Sequence, residues 1–207
     1  MERAEPSVRV SPAARLPVSA RLVVTLGRLA GTRASAVFST IARNRRLSRW
    51  WLPFAGTVLL RGRLPRADTE LVVLRTAWNC AGWYEWVQHA PLARRAGLDE
   101  AAVAAVALGA EAGNWSGRQA LLLRATDELC KKEVISDTTW RDLVQLLDPE
   151  ECIELCFLVG HYAMVGATLN SLGVRPEDDA LDQLDASSAA LARTLRRRLV
   201  DARAPVP

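Results

Sequence analysis

The chain has few histidines, few cysteines and no glycine-rich phosphate-binding loop. Its only histidines, His89 and His161, are far apart in sequence, so we expect no zinc site. Four cysteines among 207 residues do not resemble the disulfide framework of a small secreted domain. The sequence therefore indicates a cytoplasmic protein with reduced thiols, and the missing phosphate loop argues against nucleotide binding.

Membrane and secretion signals are also lacking. Arg, Glu or Asp recurs among the apolar stretches, so we expect no run of the roughly 18 apolar residues that a membrane helix requires. The N-terminus, MERAEPSVRVSPAARLP, does not have the apolar core of a signal peptide. These absences predict a globular protein that does not act in a membrane.

Charge is distributed unevenly along the chain. Residues 1–66 contain 13 arginines and two glutamates, which gives them a charge of +11. Because the whole chain has a net charge of +4, the remaining residues carry a charge of −7. No DNA-reading motif accompanies the arginines. We therefore expect an arginine-rich surface that packs on a more acidic body, and no nucleic-acid partner.

Helical spacing and helix caps occur along most of the chain. Apolar residues recur at helical spacing, whereas no segment shows the alternation of a strand, which predicts an all-α fold. The predicted helix caps are Asp68, Asp99, Ser116 with Gln119, Ser136 and Asp148. The predicted breaks between helices are Asn44, 80–82, Gly97 and Gly113. The predicted helices cover 18–30, 34–43, 47–61, 68–79, 83–96, 100–112, 117–131, 137–147, 149–171 and 187–202.

The segment ELVVLRTAWNCAGWYEWVQH, from Glu70 to His89, places titratable groups among aromatic residues. A carboxylate or imidazole in apolar surroundings needs a partner or a shifted pKa, which makes such groups candidates for acid–base chemistry. Glu85 and His89 are four residues apart and share a helix face, so the carboxylate could orient the imidazole. Glu70 could join them only if the chain turns back, and Gly82 is where it could do so.

Several motifs resemble the carboxymuconolactone decarboxylase family over residues 35–176. They are Glu70-Leu71 with Leu74-Arg75, Tyr84-Glu85-Trp86-x-x-His89, Ala96-Gly97-Leu98, Asp127-Glu128-Leu129, Ile135-Ser136-Asp137-x-x-Trp140, and the stretch from Glu154 through His161-Tyr162 to Val174. The resemblance implies the all-helical fold of alkyl hydroperoxidase D and a homo-oligomer, a trimer or hexamer. It divides the chain into a basic arm with a first helix (1–33), the family-like domain (34–176), and a linker with a C-terminal helix (177–207).

The peroxidase branch of this family uses a Glu, a CxxC pair and a His three residues after the second cysteine. In this chain the Glu falls on Glu70 and the His on His89, but the cysteine positions fall on Gly82 and Glu85. Cys80 lies two positions too early. The resemblance therefore implies a site that moves protons rather than one that uses the usual dithiol.

The decarboxylase branch implies catalysis without a metal or organic cofactor, on a substrate whose own carbonyl stabilises an enolate. His89 would donate or accept the proton, and Glu85 and Glu70 would tune it. Similar sequences often carry a histidine where this chain has Cys130, which makes that position a candidate for the pocket lining. The residues that we expect to contact substrate are Trp83, Tyr84, Trp86, Cys80, His161, Tyr162 and Cys130, although a histidine in an apolar helix such as His161 is also a common core residue.

Three functions are compatible with these residues. The first is a lyase or isomerase that acts next to a carbonyl on a small cyclic acid, lactone or quinone-like compound of aromatic degradation or secondary metabolism. The second is a thiol-dependent redox protein that uses Cys80 with Cys130 or another thiol. The third is a family member that binds a ligand without altering it.

Overall fold

The computed structural model describes residues 7–17, 20–22, 24–25, 34–112 and 114–204. Within these residues the chain forms helices and no strand, so the all-α prediction is confirmed. The helices are α1 (Ser35–Ile41), α2 (Arg45–Leu60), α3 (Arg66–Asn79), α4 (Trp83–Arg95), α5 (Glu100–Val106), α6 (Gly117–Lys132), α7 (Asp137–Leu143), α8 (Pro149–Leu172), α9 (Asp178–Leu181) and α10 (Ala186–Ala202). Residues 20–22 and 24–25 are also helical, whereas the rest of the helix predicted over 18–30, and the break predicted at Gly113, lie outside the described residues.

Side-chain caps fix the starts of six helices, one of which is α2, capped by Asn44. Asp99 and Ser136 each accept a hydrogen bond from the backbone N–H three residues later, as predicted, and Asp185 does the same for α10. Ser116 with Gln119, and Asp148 with Glu151, form reciprocal capping boxes. Each cap satisfies N–H groups that the helix itself cannot, which is typically worth about 1 kcal/mol.

Four local predictions were wrong, and one of them is the length of α5, which ends at Val106 rather than at residue 112. Asp68 is not a cap, because α3 already begins at Arg66 after Pro65, and the Asp68 carboxylate instead accepts a hydrogen bond from Arg118 at 2.7 Å. Asn44 does not simply end α1: its side chain accepts from the N–H of Leu47 and so starts α2. Helix α7 ends at Leu143 rather than at residue 147.

Helix α3 lies at the centre of the fold and packs against α4, α6 and α8. Its residues 71–74 are apolar and fully buried, because neighbouring helices cover it on every side. The turn Cys80–Gly82 reverses the chain into α4, with Ala81 in the left-handed region at φ 52°. Asn170 of α8 holds this turn by donating to the carbonyl oxygens of Cys80 and Ala81, both at 3.2 Å.

Helix α8 corrects the expectation about apolar runs. Residues 155–174 contain no Asp, Glu, Lys or Arg, and Pro149–Leu172 is long and apolar enough to cross a membrane by length and composition alone. Half of its most apolar window is buried inside the protein, against α3 and its neighbours. Cys152 is a buried core residue, while Cys156 on the next turn is half-buried.

Candidate active site

The hairpin of α3 and α4 brings Glu70 and His89 together. Glu70 Oε2 lies 2.7 Å from His89 Nδ1, so the chain does turn back at Gly82 as the sequence indicated. The Glu70 side chain is fully buried, and its other oxygen forms an ion pair with Arg66, one turn earlier on α3. The carboxylate is therefore positioned to accept the Nδ1 proton, which leaves Nε2 as the ring nitrogen available to a ligand.

Glu85 is a second buried carboxyl group, and it does not orient His89 as its spacing suggested. Only 2% of the Glu85 surface is exposed, and neither carboxyl oxygen has a hydrogen-bond partner on another described residue. Burial raises its pKa to about 7, and only the backbone N–H of Glu85 itself opposes that shift. Near neutral pH this group can therefore either give or take a proton.

Two glycines make room for the Glu85 carboxyl group. A Cβ added to Gly82 would lie 2.8 Å from Glu85 Oε2, closer than real Cβ contacts allow. On the other side, a Cβ at Gly166 of α8 would lie 3.8 Å from Oε1, an ordinary contact. Glycine at position 82 thus leaves free the space beside the observed position of the Glu85 carboxyl group.

His161 of α8 occupies an aromatic pocket. Its ring stacks on Trp51 at 6.1 Å and meets Phe54 edge-on at 5.2 Å. Burial, with a smaller contribution from nearby His89, lowers the pKa of His161 to about 4, so the ring is neutral at neutral pH. Its Nδ1 is buried without a hydrogen-bond partner among the described residues. His161 is thus a buried histidine with unused hydrogen-bonding capacity.

Tyr162 links the two histidines. Its ring meets His89 edge-on at 5.0 Å and His161 edge-on at 5.2 Å. Burial raises its pKa well above the usual range, so the phenol stays protonated.

Glu177 connects two of the helices that border this site. It accepts hydrogen bonds from Gln88 at 2.8 Å and from the Ser35 hydroxyl at 2.9 Å. Glu177 thereby fastens α1 to α4.

These side chains surround a cavity of about 410 Å³, a volume suited to a small molecule. Its polar lining consists of Arg66, Tyr84, Glu85, Gln88, His89, His161 and Tyr162. Its apolar lining consists of Ala34, Val37, Phe38, Trp51, Ala55, Leu59, Leu60, Leu92, Val165 and Leu169. The cavity thus presents a few groups capable of proton transfer to a ligand that would otherwise contact apolar surface.

Residues 45–128 match the sequence model of the carboxymuconolactone decarboxylase family. That segment contains Glu70, Glu85 and His89. Over that segment the chain is similar to this family. No curated protein sequence matches the chain.

Two crystal structures share the fold. One is described as the alkylhydroperoxidase AhpD core of an uncharacterized peroxidase-related protein from Ralstonia eutropha JMP134, with 19% identity and a TM-score of 0.74 over 84% of this chain and 95% of that one. The other is an uncharacterized peroxidase-related protein from Silicibacter sp. TM1040, with 14% identity and a TM-score of 0.74 over 87% of this chain and 96% of that one. At these identities the likeness establishes the alkyl hydroperoxidase D-like helical fold and nothing about activity.

The predicted substrate contacts separate into two groups. Tyr84, His161 and Tyr162 line the cavity with His89 and Glu85. The other predicted contacts are not part of the lining. Trp83 and Trp86 pack in the core between α4 and α10, where the Trp86 indole donates to the carbonyl of Ser188, and Cys80 and Cys130 pair with each other beside α3 and α6.

Twelve lining residues were not predicted, and Arg66, Gln88 and Trp51 are among them. Arg66 could have been found, because it lies four residues before Glu70 on the same helix and so on the same face. Gln88 and Trp51 carry no such signal. Within the part of the chain that the structure describes, no group of three or more His, Cys, Asp or Glu side chains is arranged to hold a metal ion.

Proposed function

We propose that this protein is an acid–base lyase or isomerase that moves a proton next to a carbonyl of a small cyclic acid, lactone or quinone-like compound. One observation carries the proposal: the 2.7 Å contact between Glu70 Oε2 and His89 Nδ1, which leaves His89 Nε2 for the cavity that Glu85 also lines. A fixed imidazole and an unpaired carboxyl group in one apolar cavity suit proton transfer.

The reaction can be assigned to particular groups. His89 Nε2 removes a proton from the carbon next to the carbonyl, and the carbonyl holds the resulting negative charge as an enolate. Glu85 in its protonated form returns a proton to a different carbon, which moves the double bond. After product release, His89 loses its proton to solvent and Glu85 takes one up, which restores the site. In a decarboxylation the enolate instead arises from loss of CO₂, and one protonation completes the reaction. Arg66, which lines the cavity, is placed to attract a substrate carboxylate.

The experiment uses α-angelica lactone in D₂O as a probe. Its double-bond migration removes a proton from the carbon next to the carbonyl and adds one at a different ring carbon. Deuterium incorporation followed by NMR measures the exchange, and CO₂ release from carboxymuconolactone tests the decarboxylation. We expect His89→Ala and Glu85→Gln to lower turnover by about a hundredfold or more, while the exposed control Glu133→Gln leaves it unchanged. Folded variants with full turnover would refute the assignment. Tight binding of either compound without any conversion would favour a ligand-binding role.

We also propose that the protein forms a homo-oligomer through α8. Ile153, Phe157 and Met164 lie on one exposed face of this helix and are 50–60% exposed. Apolar residues at spacings of four and seven form a continuous stripe, which a second copy of the chain could cover. Sedimentation of the wild type and of Phe157→Glu tests this, with a strict monomer at micromolar concentration as the opposing result.

A further inference from the structure

Outside the cavity, the end of α3 is fastened to α6 by polar contacts. The Asn79 side chain donates to Asp127 Oδ1 at 2.7 Å, and Arg75 donates to both Asp127 oxygens, at 2.6 and 2.8 Å. Cys80 directly follows Asn79, and Cys130 lies one helical turn after Asp127. This clamp holds the two cysteines next to each other, although they are 50 positions apart in sequence.

The two thiols interact directly. Their side chains are close enough for a hydrogen bond between the two sulfurs, and both residues are half-buried rather than enclosed. Because only one member of such a pair can be the acceptor, the two sulfurs become chemically unequal. Partial exposure lets a small reagent approach.

The surroundings favour Cys130 as the nucleophile. The hydrogen bond from Cys80 is the main cause that lowers the Cys130 pKa to about 7, with help from Asn79 and Thr76 and against burial and the charge of Asp127. The same hydrogen bond, followed by burial and the negative charges of Cys130 and Glu85, raises the Cys80 pKa, and Arg198 of α10 only partly opposes this.

We infer that Cys80 and Cys130 form a second, redox-active site, a dithiol that closes to a disulfide by exchange with a low-molecular-weight disulfide. The Cys130 thiolate attacks one sulfur of the small disulfide and forms a mixed disulfide, and the first small thiolate leaves and takes a proton from solvent. Cys80 then loses its proton and attacks the Cys130 sulfur, which releases the second small thiolate. The protein loses two electrons and two protons, and the small disulfide becomes two thiols.

This site is independent of the proposed lyase chemistry, because neither cysteine lines the cavity. The chain also contains an internal comparison. Cys152 and Cys156 are four residues apart on α8, and burial raises the pKa of both thiols. They are therefore close together yet poorly activated, and we expect them to stay reduced under conditions that oxidise Cys80 and Cys130.

The test treats the folded protein at pH 7.5 with oxidised glutathione, blocks the remaining thiols with iodoacetamide and digests with trypsin. Cleavage gives residues 76–94 with Cys80, 125–131 with Cys130, and 142–193 with the other two cysteines. We expect the first two peptides to be recovered joined by a disulfide, from the wild type and from the Cys152→Ser, Cys156→Ser double variant alike. In the wild type, the 142–193 peptide should carry two thiols blocked by iodoacetamide.

Single variants establish the order of attack. In Cys80→Ser, Cys130 should stall as a glutathione adduct that forms at least about tenfold faster than any adduct of Cys80 in Cys130→Ser. The preference for the 80–130 link should disappear when the wild type is oxidised in urea. Equal capture of all four cysteines in the folded protein, or no linked 76–94 and 125–131 peptides, would overturn the inference.

Discussion

The unpaired carboxyl group of Glu85 makes a direct prediction about stability and pH. Its pKa is raised from an ordinary value of 4.5 to about 7 by complete burial. Because one pKa unit corresponds to about 1.4 kcal/mol, this difference is worth about 3 kcal/mol. Since the folded pKa lies above the unfolded one, the folded state binds the proton more tightly. The stabilising contribution is fully present below pH 4.5 and is lost as the pH rises through about 7.

Glu85→Gln removes this titration while keeping the shape of the side chain. Relative to wild type, the variant should gain about 2–3 kcal/mol in free energy of unfolding between pH 5 and pH 8. Urea unfolding, followed by tryptophan fluorescence at both pH values, measures the free energy of unfolding of each protein. The difference between wild type and variant removes the contributions of titratable groups that both proteins share. His161 is one such group: its lowered pKa makes the folded protein lose stability as the pH falls toward 4.

The control for this experiment is Glu133→Gln, since Glu133 is exposed. Its difference from wild type should not change between pH 5 and pH 8. If the Glu85→Gln difference is also flat, to within about 0.5 kcal/mol, then Glu85 is not an isolated buried carboxyl group. The reasoning that makes it an acid near neutral pH would then fail.

Three further substitutions test other parts of the site. Glu70→Gln should lower turnover on the lactone probe by about a hundredfold and, in urea, lower stability by about 1–2 kcal/mol, because its arginine partner loses its counter-charge but is partly exposed. Ala81→Gly should raise the free energy of unfolding in urea by about 1 kcal/mol, because the backbone of residue 81 is in the left-handed region. The control Ala190→Gly, at an exposed position of α10, should lower the free energy of unfolding by a similar amount. Gly82→Ala should cost about 1–2 kcal/mol in wild type and about 1 kcal/mol less in a Glu85→Ala background.

The fold could be predicted well from local signals. Caps such as Ser116 and Asp148 act within three residues, so sequence alone locates the helix starts. The errors arose where the decisive interaction is distant. Asp68 resembles a cap, but its partner is Arg118, 50 residues away.

The site could be predicted only in part, for the same reason. Helical spacing identified Glu85 and His89 as neighbours on α4, and the turn at Gly82 was placed correctly. Spacing nevertheless assigned the wrong partner to the imidazole, because a contact along one helix is visible in sequence and a contact between α3 and α4 is not. Trp83 and Trp86 flank Glu85 in sequence, yet they point to a different core. An aromatic neighbour in sequence therefore does not indicate an aromatic wall in the cavity.

The Gly82 and Glu85 pair explains how the CxxC positions of the peroxidase branch could change together. A side chain at residue 82 would meet the Glu85 carboxyl group, with its Cβ 2.8 Å from Oε2 and 3.2 Å from the backbone of Ala77. A cysteine at 82 is therefore incompatible with Glu85 in its observed position, whereas glycine at 82 gives the carboxyl group its space. The carboxyl group, once there, is buried without a partner on another described residue and so acquires a pKa of about 7. Residues 82 and 85 are thus sterically coupled, which is why the Gly82→Ala cost should depend on residue 85.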